Sequence, residues 1–251
     1  MSQSNGSLKY KRIVLKLSGE SLQGDKDYGI SHEAARSLAR QIAEVDEAGA
    51  EITVVIGGGN IFRGLEASEQ GMDRASADYM GMLATVMNGL ALQDALEKEG
   101  VSPRLFSAIE MMEIAETFTR ARAIAHLNRG GVNVAVAGTG SPYFSTDTAA
   151  SLRALEIGAE VILKATKVDG VYDKDPMQHD DATRFDRMSY LDVVNQNLQV
   201  MDHTATTLCR ENNLPIVVFN MKEEGNILNI VEGEDIGTLI HGGQTSAREP
   251  V

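Results

Sequence analysis

A β-branched run that ends in three consecutive glycines is the segment of this sequence best suited to chemistry. Glu51–Ile56 is a short apolar run typical of a buried strand. Gly57, Gly58 and Gly59 follow at once, and without side chains their N–H groups can point at a closely approaching ligand. Arg63 adds a planar guanidinium that suits phosphate oxygens. The segment is typical of a nucleotide or phosphate site at the end of a strand, and a plain glycine-rich turn is the alternative.

Two well-known glycine motifs are absent. The dinucleotide-binding pattern G-x-G-x-x-G would need a glycine where Phe62 stands. A P-loop would need Gly-Lys-Ser or Gly-Lys-Thr, and neither triplet occurs anywhere in the chain. The chemistry of the glycine segment therefore depends on what the other loops bring to it.

Three further segments follow predicted strands. Lys16 stands near the end of the first strand, where a lysine often only packs its stem along the sheet. Gly138–Asp147 combines glycines with hydroxyls and a carboxylate, which can also simply cap the next helix. Lys164–Tyr172 brings lysines and an aromatic ring, for which a solvated turn is the alternative. Because ligands bind beyond the carboxyl ends of parallel strands, these segments are expected to converge. Cations and backbone donors are what phosphoryl transfer requires.

Strand-like and helical segments alternate, which is typical of a mainly parallel sheet covered by helices on both faces. One helix is predicted between the first two strands, after Ser31 and before Gly49. A second is predicted from Ala75 to Glu99, and its stripe of Tyr79, Leu83, Val86 and Leu90 is interpreted as core or subunit interface. Strands are predicted at Arg12–Leu17, Glu51–Ile56, Arg104–Ser107, Val132–Ala137, Val161–Ala165, Pro215–Phe219 and Thr238–Ile240.

We predict a single domain over residues 9–240, with an N-terminal acceptor lobe to about 158 and a second lobe over about 159–240. The segments 1–8 and 241–251 are small, polar or rich in glycine and proline, and are expected to be disordered tails. No linker separates the two lobes.

Net charge, cysteine count and the length of apolar runs argue against several classes of protein. A net charge of −13 argues against broad binding to nucleic acid or to anionic membranes. The single cysteine, Cys209, excludes an internal disulfide and fits a reducing cytosol. No apolar run approaches membrane-spanning length, and the five histidines show no metal-ligand spacing. We therefore expect a cytosolic protein with no dedicated metal site.

Five segments together resemble the bacterial uridylate (UMP) kinases of the amino-acid kinase superfamily. The resemblance extends from about Lys11 to Ile240. The segments that carry it are Lys16–Glu20, Gly57–Gly64, Met80–Gly89, Gly138–Phe144 and Lys164–Tyr172.

The resemblance implies a three-layer α/β/α fold and transfer of the ATP γ-phosphate to UMP, giving UDP and ADP in pyrimidine nucleotide biosynthesis. It implies that Asp147 orients two catalytic lysines, Lys16 and Lys164. Magnesium is expected to be carried by the ATP phosphates. The implied ATP contacts are Lys16, Leu17, Ser18, Gly19, Gly59, Arg63, Thr166, Tyr172 and Asp175.

The implied UMP contacts are Gly58, Asp78, Thr139, Gly140, Ser141, Pro142, Tyr143, Phe144, Ser145 and Thr146. The family is typically a homohexamer that GTP activates and UTP inhibits. The segment that matches its GTP-responsive loop is Gly24, Asp25, Lys26, Asp27, Tyr28 and Gly29.

Two other functions stay open at this point. Superfamily members that phosphorylate acids share Lys16 and Asp147 with the UMP kinases, whereas the segments at Gly57–Gly64 and Gly138–Asp147 favour UMP. A protein that binds UMP or UTP without turnover is the alternative from another class. The presence of Lys16, Asp147 and Lys164 together argues against it.

Overall fold

Short apolar runs form the strands at the centre of the protein. The computed structural model describes residues 8–174, 176–179, 181–196, 198 and 200–247. Its strands are β1 (Arg12–Leu17), β2 (Glu51–Ile56), β3 (Pro103–Ser107), β4 (Glu116–Thr117), β5 (Val132–Val136), β6 (Val161–Thr166), β7 (Val171–Tyr172), β8 (Arg184–Ser189), β9 (Ile216–Asn220), β10 (Thr238–His241) and β11 (Ser246–Ala247).

Helices occupy the segments between the strands, and polar side chains cap their N-termini. Ser31 accepts a hydrogen bond from Ala34 N at the start of the first helix, and Asp73 accepts one from Ser76 N at the start of the longest. The helices are α1 (His32–Glu47), α2 (Gly64–Glu69), α3 (Arg74–Lys98), α4 (Arg120–Leu127), α5 (Thr146–Ile157), α6 (Tyr190–Asn195), α7 (His203–Glu211) and α8 (Asn226–Glu232).

The strands of the described residues join in one mixed sheet. Its order is β11-β8-β10-β9-β6-β1-β2-β5-β3-β4, and β7 pairs with β8. The central strands from β9 through β4 are parallel, whereas β10 is antiparallel to β9 and β8 is parallel to β10. Parallel neighbours bring the carboxyl ends of β1, β2, β5 and β6 to one edge, as the sequence predicts.

Helices cover both faces of the sheet, and each face has its own apolar core. One core contains Ile13 and Leu15 of β1 with Leu38 of α1 and Val86 of α3. The other contains Val14 of β1 with side chains of α4, α5 and α7. This arrangement confirms the predicted three-layer α/β/α architecture with a mainly parallel sheet.

The structure departs from the sequence-based picture in its second half. The strand β8 was not predicted, because its sequence RFDRMS is charged and lacks an apolar alternation. Residues 241–247, expected to be disordered, are ordered: His241 ends β10, and Ser246–Ala247 pairs with β8. This segment is held by backbone pairing to a neighbouring strand, and such pairing cannot be recognised from side-chain composition. Leu8 packs against the core, and residues 1–7 and 248–251 lie outside the described residues.

Helix α3 carries two kinds of apolar side chain. Met82 and Val86 are buried in the core, and for Val86 this is one of the two predicted locations. Along its outer side, five residues are between 42% and 54% exposed, and we call them the outer stripe: Tyr79, Met80, Leu83, Met87 and Leu90. Large apolar side chains exposed side by side are typical of an interaction surface.

Two further findings concern the thiol of Cys209 and the length and polarity of the helices. Cys209 is buried in α7, and burial raises the pKa of its thiol to about 11, so it is a core residue and not a nucleophile. Within the part of the chain that the structure describes, every helix is too short or too polar to cross a bilayer.

Candidate active site

Two lysines share one carboxylate at the carboxyl edge of the sheet. Lys16 Nζ lies 2.7 Å from Asp147 Oδ1, and Lys164 Nζ lies 2.8 Å from Asp147 Oδ2. The three side chains are only 11%, 13% and 14% exposed for Lys16, Lys164 and Asp147 respectively. Lys164 Nζ also donates to the carbonyl of Val200. The structure therefore brings together the three residues predicted to be catalytic.

Strand register and helix capping place these groups. Lys16 and Lys164 are direct partners across the parallel strands β1 and β6, and alternation points both side chains at the face that α5 covers. Asp147 lies in the first turn of α5, where Ser145 Oγ accepts hydrogen bonds from Asp147 N and Thr148 N. A carboxylate in the first turn is also favoured by the helix dipole.

The charges in this cluster depend on one another. Burial alone would raise the pKa of Asp147, but Lys16 and Lys164 hold that pKa below its usual value. Burial lowers the pKa of Lys164, with Lys16 acting in the same direction, while Asp147 opposes the change. The carboxylate is therefore ionised at neutral pH and stabilises the protonated form of Lys164.

The glycine loop lies beside this cluster, and its glycines are required for different reasons. A Cβ on Gly58 would lie 2.8 Å from both Ala84 Cβ and Gly81 O of α3, so no larger residue fits. A Cβ on Gly59 would meet nothing within 4 Å. Neither needs a positive φ. Gly58 thus allows close packing against α3, and Gly59 leaves its backbone open to a ligand.

A cavity of about 460 Å³ opens on one side of the cluster. Gly58, Asp78, Tyr143, Phe144, Ser145 and Thr146, six of the residues predicted to bind UMP, line it. The other four, Thr139, Gly140, Ser141 and Pro142, lie in the same loop without lining the cavity.

Asp78 holds the loop that borders this cavity. Its Oδ2 accepts a hydrogen bond from Tyr143 N at 2.8 Å, and Arg74 Nε donates to both of its oxygens at 2.9 and 3.0 Å. The guanidinium of Arg74 also lies 5.6 Å from the ring centroid of Tyr143. Tyr143 has φ 71°, a left-handed conformation that is unusual for a side chain of this size. The Asp78 bond helps to keep the loop in that conformation.

A second cavity of about 500 Å³ opens on the other side, next to Lys164. Thr166 and Tyr172, both predicted ATP contacts, line it. Tyr172 OH donates to Asp169 Oδ1 at 2.5 Å, and Thr166 Oγ1 donates to Val168 O at 2.6 Å. Asp175 lies outside the described residues.

Arg63 and Gly59 face a third cavity, of about 350 Å³, which Asp27 and Tyr28 also line. Glu20 bridges two cations at the edge of the site, lying 3.5 Å from Arg63 Nη2 and 2.6 Å from Lys167 Nζ. The hydrogen bond from Lys167 is the main reason that the pKa of Glu20 is lowered.

The rest of the predicted ATP segment is held by backbone contacts. Leu17 is fully buried, and its carbonyl accepts from Gly57 N at 3.0 Å. Ser18 caps a short turn by accepting from Glu20 N, and a Cβ on Gly19 would lie 2.9 Å from Gly57 O. The ATP contacts assigned to this segment stay predictions.

Sequence reasoning did not single out several residues of the site. Arg74 was detectable in principle, because it precedes Asp78 by four residues on one helix. Asp202 was not: it caps α7 and accepts hydrogen bonds from Thr148 Oγ1 and Ser145 Oγ, more than fifty residues away in the chain. Glu20 was not detectable either, because its partners Arg63 and Lys167 lie far away in the chain.

No group of three or more His, Cys, Asp or Glu side chains suited to a metal ion occurs among the described residues. A magnesium ion bound mainly by nucleotide phosphates and water would need no such group. The donor set is therefore compatible with a metal that arrives with a nucleotide.

Comparison with known proteins places this geometry in a family. The model of the amino acid kinase family matches residues 11–220. The crystal structure of UMP kinase from Bacillus anthracis is 38% identical, with a TM-score of 0.93 over 96% of this chain and 99% of that chain.

Two further structures agree. UMP kinase from Ureaplasma parvum is 38% identical, with a TM-score of 0.87 over 92% of this chain and 98% of that one. Uridylate kinase from Archaeoglobus fulgidus is 28% identical, with a TM-score of 0.70 over 91% of this chain and 99% of that one. The chain belongs to the amino acid kinase family.

Proposed function

We propose that this protein is a UMP kinase, which transfers the γ-phosphoryl group of ATP to UMP and releases UDP and ADP. The observation that carries the proposal is the pair Lys16 and Lys164 on one buried carboxylate, with a cavity on each side. The likeness to UMP kinases from Bacillus anthracis and Ureaplasma parvum supports UMP as the acceptor.

The proposed reaction requires charge stabilisation and no general base. A phosphate monoester has its second pKa at about 6, so the attacking oxygen of UMP is already ionised near neutral pH. A bond forms between this oxygen and the γ-phosphorus, and the bond from the γ-phosphorus to the bridging oxygen of ADP breaks. Lys16 and Lys164 stabilise the charge on the transferred group, and Asp147 orients both lysines. Magnesium on the nucleotide phosphates would neutralise further charge.

We place ATP in the cavity next to Lys164. Its base would lie near Thr166 and Tyr172. Its phosphates would extend toward Lys16 and toward Arg63, which lines the third cavity. Contacts from Leu17, Ser18, Gly19, Gly59 and Asp175 complete this part of the proposal.

We place UMP in the cavity that Gly58 and Asp78 line, with its phosphate toward Thr146 and the two lysines that Asp147 orients. Asp78 already binds Tyr143 N and Arg74, but each carboxylate oxygen keeps capacity for a further hydrogen bond. A ribose hydroxyl is a suitable donor. Thr139, Gly140, Ser141 and Pro142 belong to the same loop and would act with it.

We further propose a cytosolic homohexamer that GTP activates and UTP inhibits, with a role in pyrimidine nucleotide biosynthesis. The outer stripe of α3 supports self-association, because it exposes five large apolar side chains in a row. UTP would compete with UMP for the acceptor cavity. The segment Gly24–Gly29 is the proposed GTP-responsive loop and contacts the glycine loop through Asn60.

The first test is a coupled assay of ADP release with ATP and UMP. We expect turnover with UMP, and Lys16→Ala should lower kcat by about 100-fold or more with a smaller effect on KM, since the lysine acts mainly in the transition state. ADP release with an acidic amino acid but not UMP would indicate an acid-phosphorylating enzyme. UMP binding without turnover would indicate a sensor, and near-normal kcat in Lys16→Ala would exclude this lysine from catalysis.

The second prediction concerns Asp78. Asp78→Ala should raise KM for UMP by about tenfold or more, because a hydrogen bond to a charged group is lost and the Tyr143 loop is released. KM for ATP should change little. Asp94→Ala, an exposed carboxylate at the far end of the same helix, is the control and should leave both constants unchanged. An equal rise in both constants for Asp78→Ala would point to a folding role.

The third prediction concerns pH. Because the pKa of Asp147 is held below its usual value, kcat should show no acidic limb from this group between about pH 5 and 8. Lys164 must keep its proton, and its pKa is lowered by burial, so activity should fall at alkaline pH. Asp147→Asn removes the charge that supports the protonated lysine. It should lower kcat and shift the alkaline fall to lower pH.

A pH–rate profile of both enzymes checks this prediction. If wild-type kcat instead follows a carboxylate ionisation that disappears in Asp147→Asn, the carboxylate acts as a base and the orienting role is wrong. An alkaline limb that does not shift in Asp147→Asn would show that deprotonation of Lys164 is not its cause.

The fourth prediction concerns assembly. Leu83→Glu places a charge in the middle of the outer stripe and should reduce the oligomer to smaller species in sedimentation velocity. Leu191→Glu, which changes an equally exposed leucine on α6, should leave the mass unchanged. A wild-type monomer at micromolar concentration would contradict the assembly proposal.

A further inference from the structure

Asn60 and Asn88 form a reciprocal amide pair beneath the glycine loop. Asn60 Nδ2 donates to Asn88 Oδ1 at 3.0 Å, and Asn88 Nδ2 donates to Asn60 Oδ1 at 2.7 Å. The two residues are 3% and 0% exposed. Buried amides of this kind are costly unless they are fully hydrogen-bonded, so the pair needs both partners in place.

Each amide also binds the backbone of a different loop. Asn88 Nδ2 donates to Gly57 O at 2.7 Å, and Asn60 Nδ2 donates to Gly29 O at 2.9 Å. Gly29 N returns a hydrogen bond to Asn60 O at 2.8 Å. The carbonyls of Gly57 and Gly29 fix the orientation of the two amides, since a flipped amide would bring two oxygens together.

The segment after Lys16 packs against the same pair. A Cβ on Gly19 would lie 2.3 Å from Asn60 Oδ1, and Gly57 N donates to Leu17 O at 3.0 Å. Thus the amide pair lies where α3, the glycine loop, the segment after β1 and the segment Gly24–Gly29 meet. A displacement of any of these elements must be accommodated at the two amides.

We propose that Asn60 and Asn88 are positioning residues for phosphoryl transfer, which couple α3 and the segment Gly24–Gly29 to the glycine loop. This inference rests on the proposed function. Neither side chain contacts the reacting groups. Asn88 fixes the carbonyl of Gly57, which sets the direction of the N–H groups that follow it. Donors held in place before the reaction need no reorganisation during it.

Asn88→Asp is the main test, because it keeps the volume and one acceptor but loses both N–H donors. The oxygen that replaces Nδ2 would face both Gly57 O and Asn60 Oδ1, so the glycine loop should shift. We expect kcat to fall by about tenfold or more, since a displacement on the order of 1 Å can cost up to about 100-fold. The peptide that contains Gly29 should also exchange its amide hydrogens faster, as measured by mass spectrometry.

Asn133→Asp is the matched control. Asn133 is a fully buried asparagine in β5 whose Nδ2 donates to Thr53 Oγ1 and Ala123 O, away from both loops. Its replacement removes the same donors and should lower the melting temperature, but it should spare kcat and the exchange at Gly29.

Asn60→Ala is the second variant, for use if Asn88→Asp does not fold. It removes the bond to Gly29 O and leaves the bond from Asn88 to Gly57 O available, so exchange at Gly29 should rise with a smaller loss of kcat. A folded Asn88→Asp with kcat within about twofold of wild type would overturn the inference. Equal losses in Asn133→Asp would also overturn it, because they would show only a general effect on stability.

The two measurements, kcat and amide exchange at Gly29, distinguish a failure of this inference from a failure of the proposed function. If wild type turns over an acceptor other than UMP, the kinetic comparison uses that acceptor. If it turns over none, the proposed function fails, while the exchange at Gly29 still tests the coupling: unchanged exchange in Asn60→Ala and Asn88→Asp overturns it.

Discussion

The site depends on one buried carboxylate that lies between two ammonium groups. Lys16 and Lys164 stand side by side on neighbouring strands, and without Asp147 two like charges would be buried together. The register of β1 and β6 tolerates no shift, because a slip of one residue would turn either lysine into the opposite core. The N-terminus of α5 must also reach the same point, which explains why Ser145 caps it there.

Two loops beside this cluster approach α3 closely, each by a different means. Gly58 contacts α3 so tightly that a single methyl group would clash with Ala84 and Gly81. The loop after β5 uses a different solution, since Ala137 and Tyr143 both adopt positive φ. Asp78 compensates for part of that strain by accepting from Tyr143 N. Both loops are therefore held by α3, although neither belongs to it.

The sequence predicts the central sheet, α1 and α3, because apolar periodicity reports them directly. The three catalytic candidates are singled out by the resemblance to the UMP kinases. Charge-rich β8 escapes prediction, since backbone pairing and not side-chain pattern forms it. Asp202 and the Asn60–Asn88 pair escape for another reason: their contacts join segments far apart in the chain. Only the folded structure brings such partners together. The roles of individual binding residues, Leu17 among them, remain predictions.

Helix α3 connects three features that the sequence presents separately. Asp78 in its first turns binds the loop that contains Tyr143, and Asn88 near its middle binds the glycine loop. The outer stripe lies between and beyond them on the exposed side. This helix is a single element of 25 residues, so it joins the two loops and the outer stripe directly. A displacement of α3 at the outer stripe would therefore be transmitted to both loops, through the carboxylate of Asp78 and the amide of Asn88. In the homohexamer proposed above, contact between subunits at the outer stripe would influence phosphoryl transfer without a separate regulatory domain.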